Sequence, residues 1–330
     1  MRAYSARGDA LTPDTVAGRV LCHDVGPGLR KGARLSARDL PRLRELREVH
    51  LAELGPGDVH EDEAACRLAA ALAGRGTAAG EPRQSQVRLT ARERGLVRVS
   101  AAAVARLNGL DTVGVFTLVD GQAVAEGDEV AGCKVTPVAV PAAVVEEAER
   151  IAAEMAPVLE VVPFRPLRTF MVVTERLRPR ARELFRAAVA RKLDWYGARV
   201  VEVRDVARTG DAIRAAYAAA GEAGAELVLF AGASSIDPLD PAYRELEAAG
   251  GRVLRRGAPA HPGSMIWLGE LEGAAVLGVA SCAGFGKMTA LDLLLPFMFA
   301  YGRVSAADLS ALGHGGLVER GAGRRFPAYE

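Results

Sequence analysis

The chain has 330 residues, 50% of them hydrophobic, which calls for about two packed domains and excludes a disordered or fibrous protein. Its 42 basic and 41 acidic side chains leave a net charge of +1, so neither nucleic acid nor an anionic membrane surface is an expected partner. Cys22, Cys66, Cys133 and Cys282 stand far apart with no Cys-x-x-Cys pair, as free thiols do in a reducing compartment. Met1 to Asp14 lacks the apolar h-region of a signal peptide, and no run reaches the roughly 18 apolar residues of a membrane span, so a cytoplasmic protein is expected. Of the basic residues only Lys31, Lys134, Lys192 and Lys287 are lysines, and with the heavy Ala and Gly usage this reads as codon bias. A scattered arginine is therefore weak evidence for a ligand.

In the first half the apolar period changes every few residues, predicting short mixed elements, an α+β domain over residues 1–160. Val16 to His23 reads as a strand, and Ser36 followed by Asp39 as a helix start with Leu40, Leu43 and Leu46 on one face. A strand from Val49 to Leu54 precedes the Gly55-Pro56-Gly57 break, after which Glu61-Asp62-Glu63 heads an alanine-rich helix ending at Gly74. Alternating runs around Arg94-Gly95 and again around Asp120-Gly121 predict two hairpins. A helix from about Pro141 to Met155 leads into a connector spaced by Pro157, Pro163 and Pro166.

The second half has another rhythm. Thr169 to Val173 is an apolar run, Pro179 opens a helix with Leu184, Phe185, Ala188, Val189 and Leu193 inward, and strand Val200 to Val203, helix Asp211 to Ala220 and strand Leu227 to Phe230 repeat the unit. Strands near Arg252 to Leu254 and Ala275 to Val279 and a long helix from about Lys287 to Tyr301 follow. Such βαβα alternation predicts an α/β domain over residues 161–305, a mostly parallel sheet with helices on both faces, and a tail over 306–330.

In such a sheet ligands bind beyond the carboxyl ends of the strands. Four segments fall there: Thr174-Glu175, Asp205, the loop from Gly232 to Asp240, and Ala280 to Gly286. In the loop from Gly232 to Asp240, Gly232 and Ala233 let a backbone approach a ligand closely, Ser234 and Ser235 offer hydroxyls and amides to phosphate oxygens, and Asp237 and Asp240 are candidates for holding Mg²⁺. The same Ser and Asp residues before Pro241 also suit a turn and a helix cap, and the spacing leaves both readings open. Gly286-Lys287 departs from a nucleotide-triphosphate P-loop, which needs Gly where Ser281 stands and Ser or Thr where Met288 stands. Asp58, His60, Glu61 and Asp62 read as a solvated helix start in the absence of metal-ligand spacing, and no Gly-x-Ser-x-Gly elbow supports a serine hydrolase.

From these residues the second half resembles the molybdopterin-binding domain of the MogA/MoeA family of molybdenum-cofactor proteins, over roughly residues 166 to 302. Gly232, Ala233, Ser234 and Ser235 stand where that family has Gly-Gly-Thr followed by Ser or Gly, with Asp240 at its Asp position. Pro262-Gly263-Ser264-Met265 matches its Pro-Gly-Lys-Pro turn, and Val279 to Ala283, with Ser281 inside, its Leu-Pro-Gly-Asn-Pro turn; Gly284 follows. A weaker similarity to MoeA-type N-terminal segments lies in Gly18 to Val25 and Lys31-Gly32.

The resemblance implies a doubly wound MogA-like sheet, a homo-oligomer, and binding of molybdopterin or a nucleotide-linked form of it by Gly232 to Ser235, Pro262 to Ser264, Ser281 and Gly284. For a transferase that inserts metal or adenylylates molybdopterin, it implies Asp240 and Asp237 as the catalytic residues, with Mg²⁺ on Asp240. Here His261 and Ser264 replace expected lysines and Leu239 a frequent Arg, which motivates the alternative of a non-catalytic carrier or sensor of finished cofactor serving a molybdenum enzyme. A dehydrogenase ranks last, because no Gly-x-Gly-x-x-Gly follows the strand ending at Val173.

Overall fold

A computed structural model of the chain describes residues 1–174, 178–232, 235–279 and 288–318. Two compact units divide it: Met1–Glu93, Val97–Asp120 and Ala125–Val162 make the first, and Arg94–Leu96, Gly121–Val124 and Pro163–Glu330 the second. Among the described residues no helix is long and apolar enough to cross a membrane.

The first unit begins with β1 (Arg2–Ala6), α1 (Pro13–Val16), β2 (Val20–Leu21), α2 (Leu40–Arg44) and β3 (Val49–Glu53). The strands pair antiparallel in the order β1-β3-β2 around a core that includes Val16, Leu21, Leu43 and Leu51. The strand expected from Val16 to His23 shrinks to two residues, because Val16 closes α1, which Thr12 caps and Pro13 starts. The start expected at Ser36 is present: the Asp39 carboxylate accepts the Ser36 N–H at 2.8 Å, one turn ahead of α2.

Next come β4 (Asp58–His60), α3 (Glu61–Leu72), β5 (Thr77–Ala79), β6 (Gln86–Ala91), β7 (Gly95–Val99), α4 (Ala101–Leu107), β8 (Val113–Thr117), β9 (Ala123–Val124), β10 (Glu129–Val135), β11 (Ala139–Pro141), α5 (Ala142–Glu154) and β12 (Leu159–Pro163). The hairpin expected at Arg94-Gly95 does not form, and around Asp120-Gly121 the antiparallel partners are β8 and β10, with β9 inside their connection. β10 lies between β6 and β8 and pairs with both, whereas Gly95 and Leu96 of β7 meet Val124 and Ala123 of β9. The two turns are held within the second unit instead: the Arg94 guanidinium lies 5.1 Å from the centre of the Trp195 ring, and Gly121, at φ +86°, packs so closely on Phe297 that a Cβ would sit 2.9 Å from it.

The rest of the second unit runs β13 (Arg168–Val173), α6 (Pro179–Trp195), β14 (Arg199–Asp205), α7 (Gly210–Glu222), β15 (Leu227–Ala231), α8 (Pro241–Ala248), β16 (Arg252–Arg256), β17 (Trp267–Leu271), β18 (Ala274–Val279), α9 (Ala290–Tyr301) and α10 (Ala306–Ala311). Six strands form one sheet in the order β14-β13-β15-β18-β17-β16. The first four are parallel, and β17 runs against both its neighbours. β17 has no counterpart among the predicted elements; its Trp267 faces Gly278 of β18, where any Cβ would overlap the indole.

The chain steps from β13 to β14 in one direction and from β14 back past β13 to β15 in the other. The connections through α6 and α7 therefore run in opposite senses along the sheet. On one face Phe170, Val172, Val228 and Phe230 bury against Tyr217 of α7 and Tyr243 of α8. α6 is joined to α9 by a buried ion pair, Lys192 to Asp292 at 2.7 Å, and at its C-cap by the stacked rings of Tyr196 and Phe299, 5.0 Å apart. Of the residues expected inward, Phe185, Ala188, Val189 and Leu193 are buried, whereas Leu184, one position off that stripe, is exposed.

Candidate functional site

Strand reversal puts the topological switch point between β13 and β15, where an open α/β sheet leaves a crevice at the carboxyl ends. There the Thr174 N–H and hydroxyl both donate to the Ala231 carbonyl, at 2.9 and 3.2 Å, and Ala231 is in register with Val279. The strand ends at Thr174, Ala231 and Val279 therefore lie side by side. Ala233, Ser234, Ser281 and Gly284, like Glu175, lie outside the described residues.

Gly232 follows β15 at φ +106°, a conformation that side chains with a Cβ rarely adopt. Ser235 is half-buried and Asp237 exposed. The Asp237 carboxylate folds back on its own loop, accepting the Leu239 N–H at 2.9 Å, and the Asp237 carbonyl accepts the Asp240 N–H at 3.2 Å. Asp240 is 1% exposed and caps α8 directly before Pro241. One of its oxygens accepts the Ala242 N–H at 2.9 Å, and the other is held by the guanidinium of Arg208, from the loop between β14 and α7. The two aspartates thus share a loop and differ in environment.

The Ala242 carbonyl accepts the Tyr217 hydroxyl at 3.0 Å, which fixes the first turn of α8 from beneath. Burial, reinforced by the Asp240 charge, pushes the Tyr243 phenol up to about 12, and raises Tyr217 as well, so both stay neutral. Arg256 covers Tyr243, 4.9 Å from its ring centre.

The turn at Pro262 and Gly263 meets the start of α9. The Pro262 carbonyl accepts the Ala290 N–H at 2.8 Å, and Gly263, at φ +103°, lies so close that a Cβ would stand 2.9 Å from the Ala290 nitrogen. Thr289 and Asp292 form the capping box of α9, and the Asp292 carboxylate, fully buried, accepts the Thr289 N–H at 2.7 Å besides pairing with Lys192. Ser264 and His261 are exposed, and the His261 backbone bonds to Gly316 and Val318.

Sequence reasoning placed Thr174 at this edge and missed two other participants: Arg208 is one arginine among many, and Lys192 carries its only signal in being one of four lysines.

The acidic segment of the first unit resolves as a helix start. Asp58 binds the Met1 amine at 2.5 Å, His60 caps α3 by accepting the Asp62 N–H at 3.2 Å, and its other ring nitrogen meets the Gly32 carbonyl at 2.8 Å. Among the described residues no group of three or more His, Cys, Asp or Glu is arranged to hold a metal ion. Mg²⁺ does not fit the Asp240 position as it stands, because both carboxylate oxygens are engaged and one faces a fixed positive charge.

No family model and no curated protein matches the chain. Solved structures do. A molybdopterin biosynthesis protein from Mycobacterium abscessus is 17% identical over 42% of this chain and 99% of its own, with a TM-score of 0.28. The molybdopterin biosynthesis MoeA protein from Pyrococcus horikosii is 13% identical over 68% of this chain and 74% of its own, at 0.27. The molybdopterin biosynthesis enzyme MoaB from Thermus thermophilus is 14% identical over 45% and 97%, at 0.28. Each is a partial likeness at low identity.

Proposed function

We propose that the protein serves molybdenum-cofactor biosynthesis by binding molybdopterin, or a nucleotide-linked form of it, at the carboxyl edge of the second unit. The observation that carries this reading is the junction at the switch point: Gly232 leaves β15 beside Thr174, in the segment whose residues match the family motif from Gly232 to Asp240. Gly232 and Ser235 are the described residues to receive the pterin's phosphate, with the Pro262-Gly263-Ser264 turn and the N-terminus of α9 as a second wall; Ala233, Ser234, Ser281 and Gly284 complete the set. Calorimetric titration of the purified protein with molybdopterin tests it. Binding at micromolar concentrations is expected, and none at tens of micromolar would refute the reading.

One observation favours the carrier over the transferase. Asp240, the residue on which metal-assisted transfer would turn, spends both oxygens on a helix cap and an arginine. A carrier holds the cofactor without turnover of ATP, CTP or molybdate. Turnover with any of them, abolished by Asp237→Asn, would restore the transferase reading.

A further inference from the structure

We propose that this edge grips its ligand's phosphate through Arg208, clamped by Asp240, and works without a divalent metal. The inference rests on the reading above for the place of the ligand and adds the group that recognises it.

Arg208 belongs to the loop after β14, Asp240 to the loop after β15, and β13 lies between those strands, so the pair bridges the two loops that flank the end of β13. The two ends of the bridge are unequal. Asp240 is 1% exposed, whereas the Arg208 side chain is 42% exposed. A planar guanidinium has five N–H donors, and the bond to Asp240 uses one terminal nitrogen. The remaining donors belong to a half-exposed side chain whose orientation is already fixed by a buried carboxylate, which suits bidentate recognition of a phosphate dianion.

The metal alternative fails on the same atoms. To ligate a cation, Asp240 would release either the Ala242 N–H, losing the cap of α8, or Arg208, and the ion would sit beside a guanidinium cation. Asp237, with one oxygen on the Leu239 N–H, is the other carboxylate of the loop and is exposed. The nearby phenols of Tyr217 and Tyr243 are neutral. Arg208 is then the cation that an anionic ligand meets where a metal would otherwise bridge it.

The test uses the full chain, inorganic phosphate as probe followed by ³¹P line broadening, and Mn²⁺ followed by electron paramagnetic resonance. Phosphate is expected to bind equally well, within about twofold, in EDTA and in MgCl₂, and about tenfold more weakly in Arg208→Gln, with Arg208→Lys recovering part of the loss. The Mn²⁺ signal is expected to be unchanged by the protein. The inference is overturned if Mg²⁺ strengthens phosphate binding about tenfold, if Mn²⁺ binds the wild type and not Asp240→Asn, or if phosphate binds neither with nor without metal. Circular dichroism spectra matching the wild type exclude misfolding of the Arg208 variants, whose unfolding midpoints are expected to fall because Asp240 loses its counter-ion. Should molybdopterin bind while Arg208→Gln leaves its affinity unchanged, the arginine inference falls and the functional reading stands; phosphate binding through Arg208 with no affinity for molybdopterin gives the reverse.

Discussion

The two units use charge and strand in opposite ways. The first is built from small sheets whose strands run as short as Val20–Leu21, and its pairs of Arg67 with Glu149 and Arg98 with Asp120 are open to solvent, Met1 with Asp58 being more enclosed. The second has one six-stranded sheet and draws charge inward: Asp292 is fully buried against Lys192, and Asp240 nearly so against Arg208. A buried charge is strongly destabilising when its partner is removed, and a surface pair contributes little. The second unit can therefore hold a loop edge rigid from below, which is what a preformed ligand site requires.

Substitution tests that contrast. Lys192→Met leaves Asp292 buried without its counter-ion and is expected to cost about 3–5 kcal/mol in urea denaturation. A loss below about 1 kcal/mol would mean that the pair behaves like a surface one. Gly263→Ala forces a Cβ onto the Ala290 nitrogen at a positive φ, and a loss above about 1 kcal/mol is expected together with weaker ligand binding, since the turn and the start of α9 separate. Asp240→Ala removes the cap of α8, for about 0.5–2 kcal/mol. In the first unit Glu149→Gln is expected to shift stability by no more than about 1 kcal/mol, and a larger loss would erase the distinction between the units.

Glu61 is the first unit's exception, a buried carboxyl that makes its stability depend on pH. Burial first, and the Asp62 charge second, raise its carboxyl above the ordinary carboxylate range. Its protonated form suits the fold, so its contribution is full at acid pH, below the unfolded value, and is lost as pH rises through the folded one. Glu61→Gln is therefore expected to raise the thermal midpoint at neutral pH and to leave it unchanged in acid. An equal shift at both would contradict the sign.

Legibility in the sequence follows the same division. Leu227–Ala231 is buried along its whole length, so its residues alone announce a strand covered on both faces. The helices beginning at Pro179 and near Asp211 were legible for the matching reason, an apolar stripe behind a clear start. The strands of the first unit owe their existence to distant partners, as in Tyr4 opposite Leu51, and no local pattern reveals that β10 separates β6 from β8. β17 escaped for a related reason, its Trp267 being explained only by the missing Cβ of Gly278. At the site, the Asp237 and Asp240 loop was readable from its small and acidic residues, whereas Arg208 was hidden by an arginine-rich composition in which burial of the partner, not residue type, marks the one that counts.

Whether a pterin phosphate is held at the edge of the second unit is decided by mass spectrometry of the small molecules released when freshly purified protein from a molybdenum-replete host is denatured, with Arg208→Gln beside the wild type. Molybdopterin, alone or joined to AMP or CMP, released from the wild type and depleted in the variant, is the predicted result. Wild-type protein that releases no pterin and binds none when it is added would contradict the account.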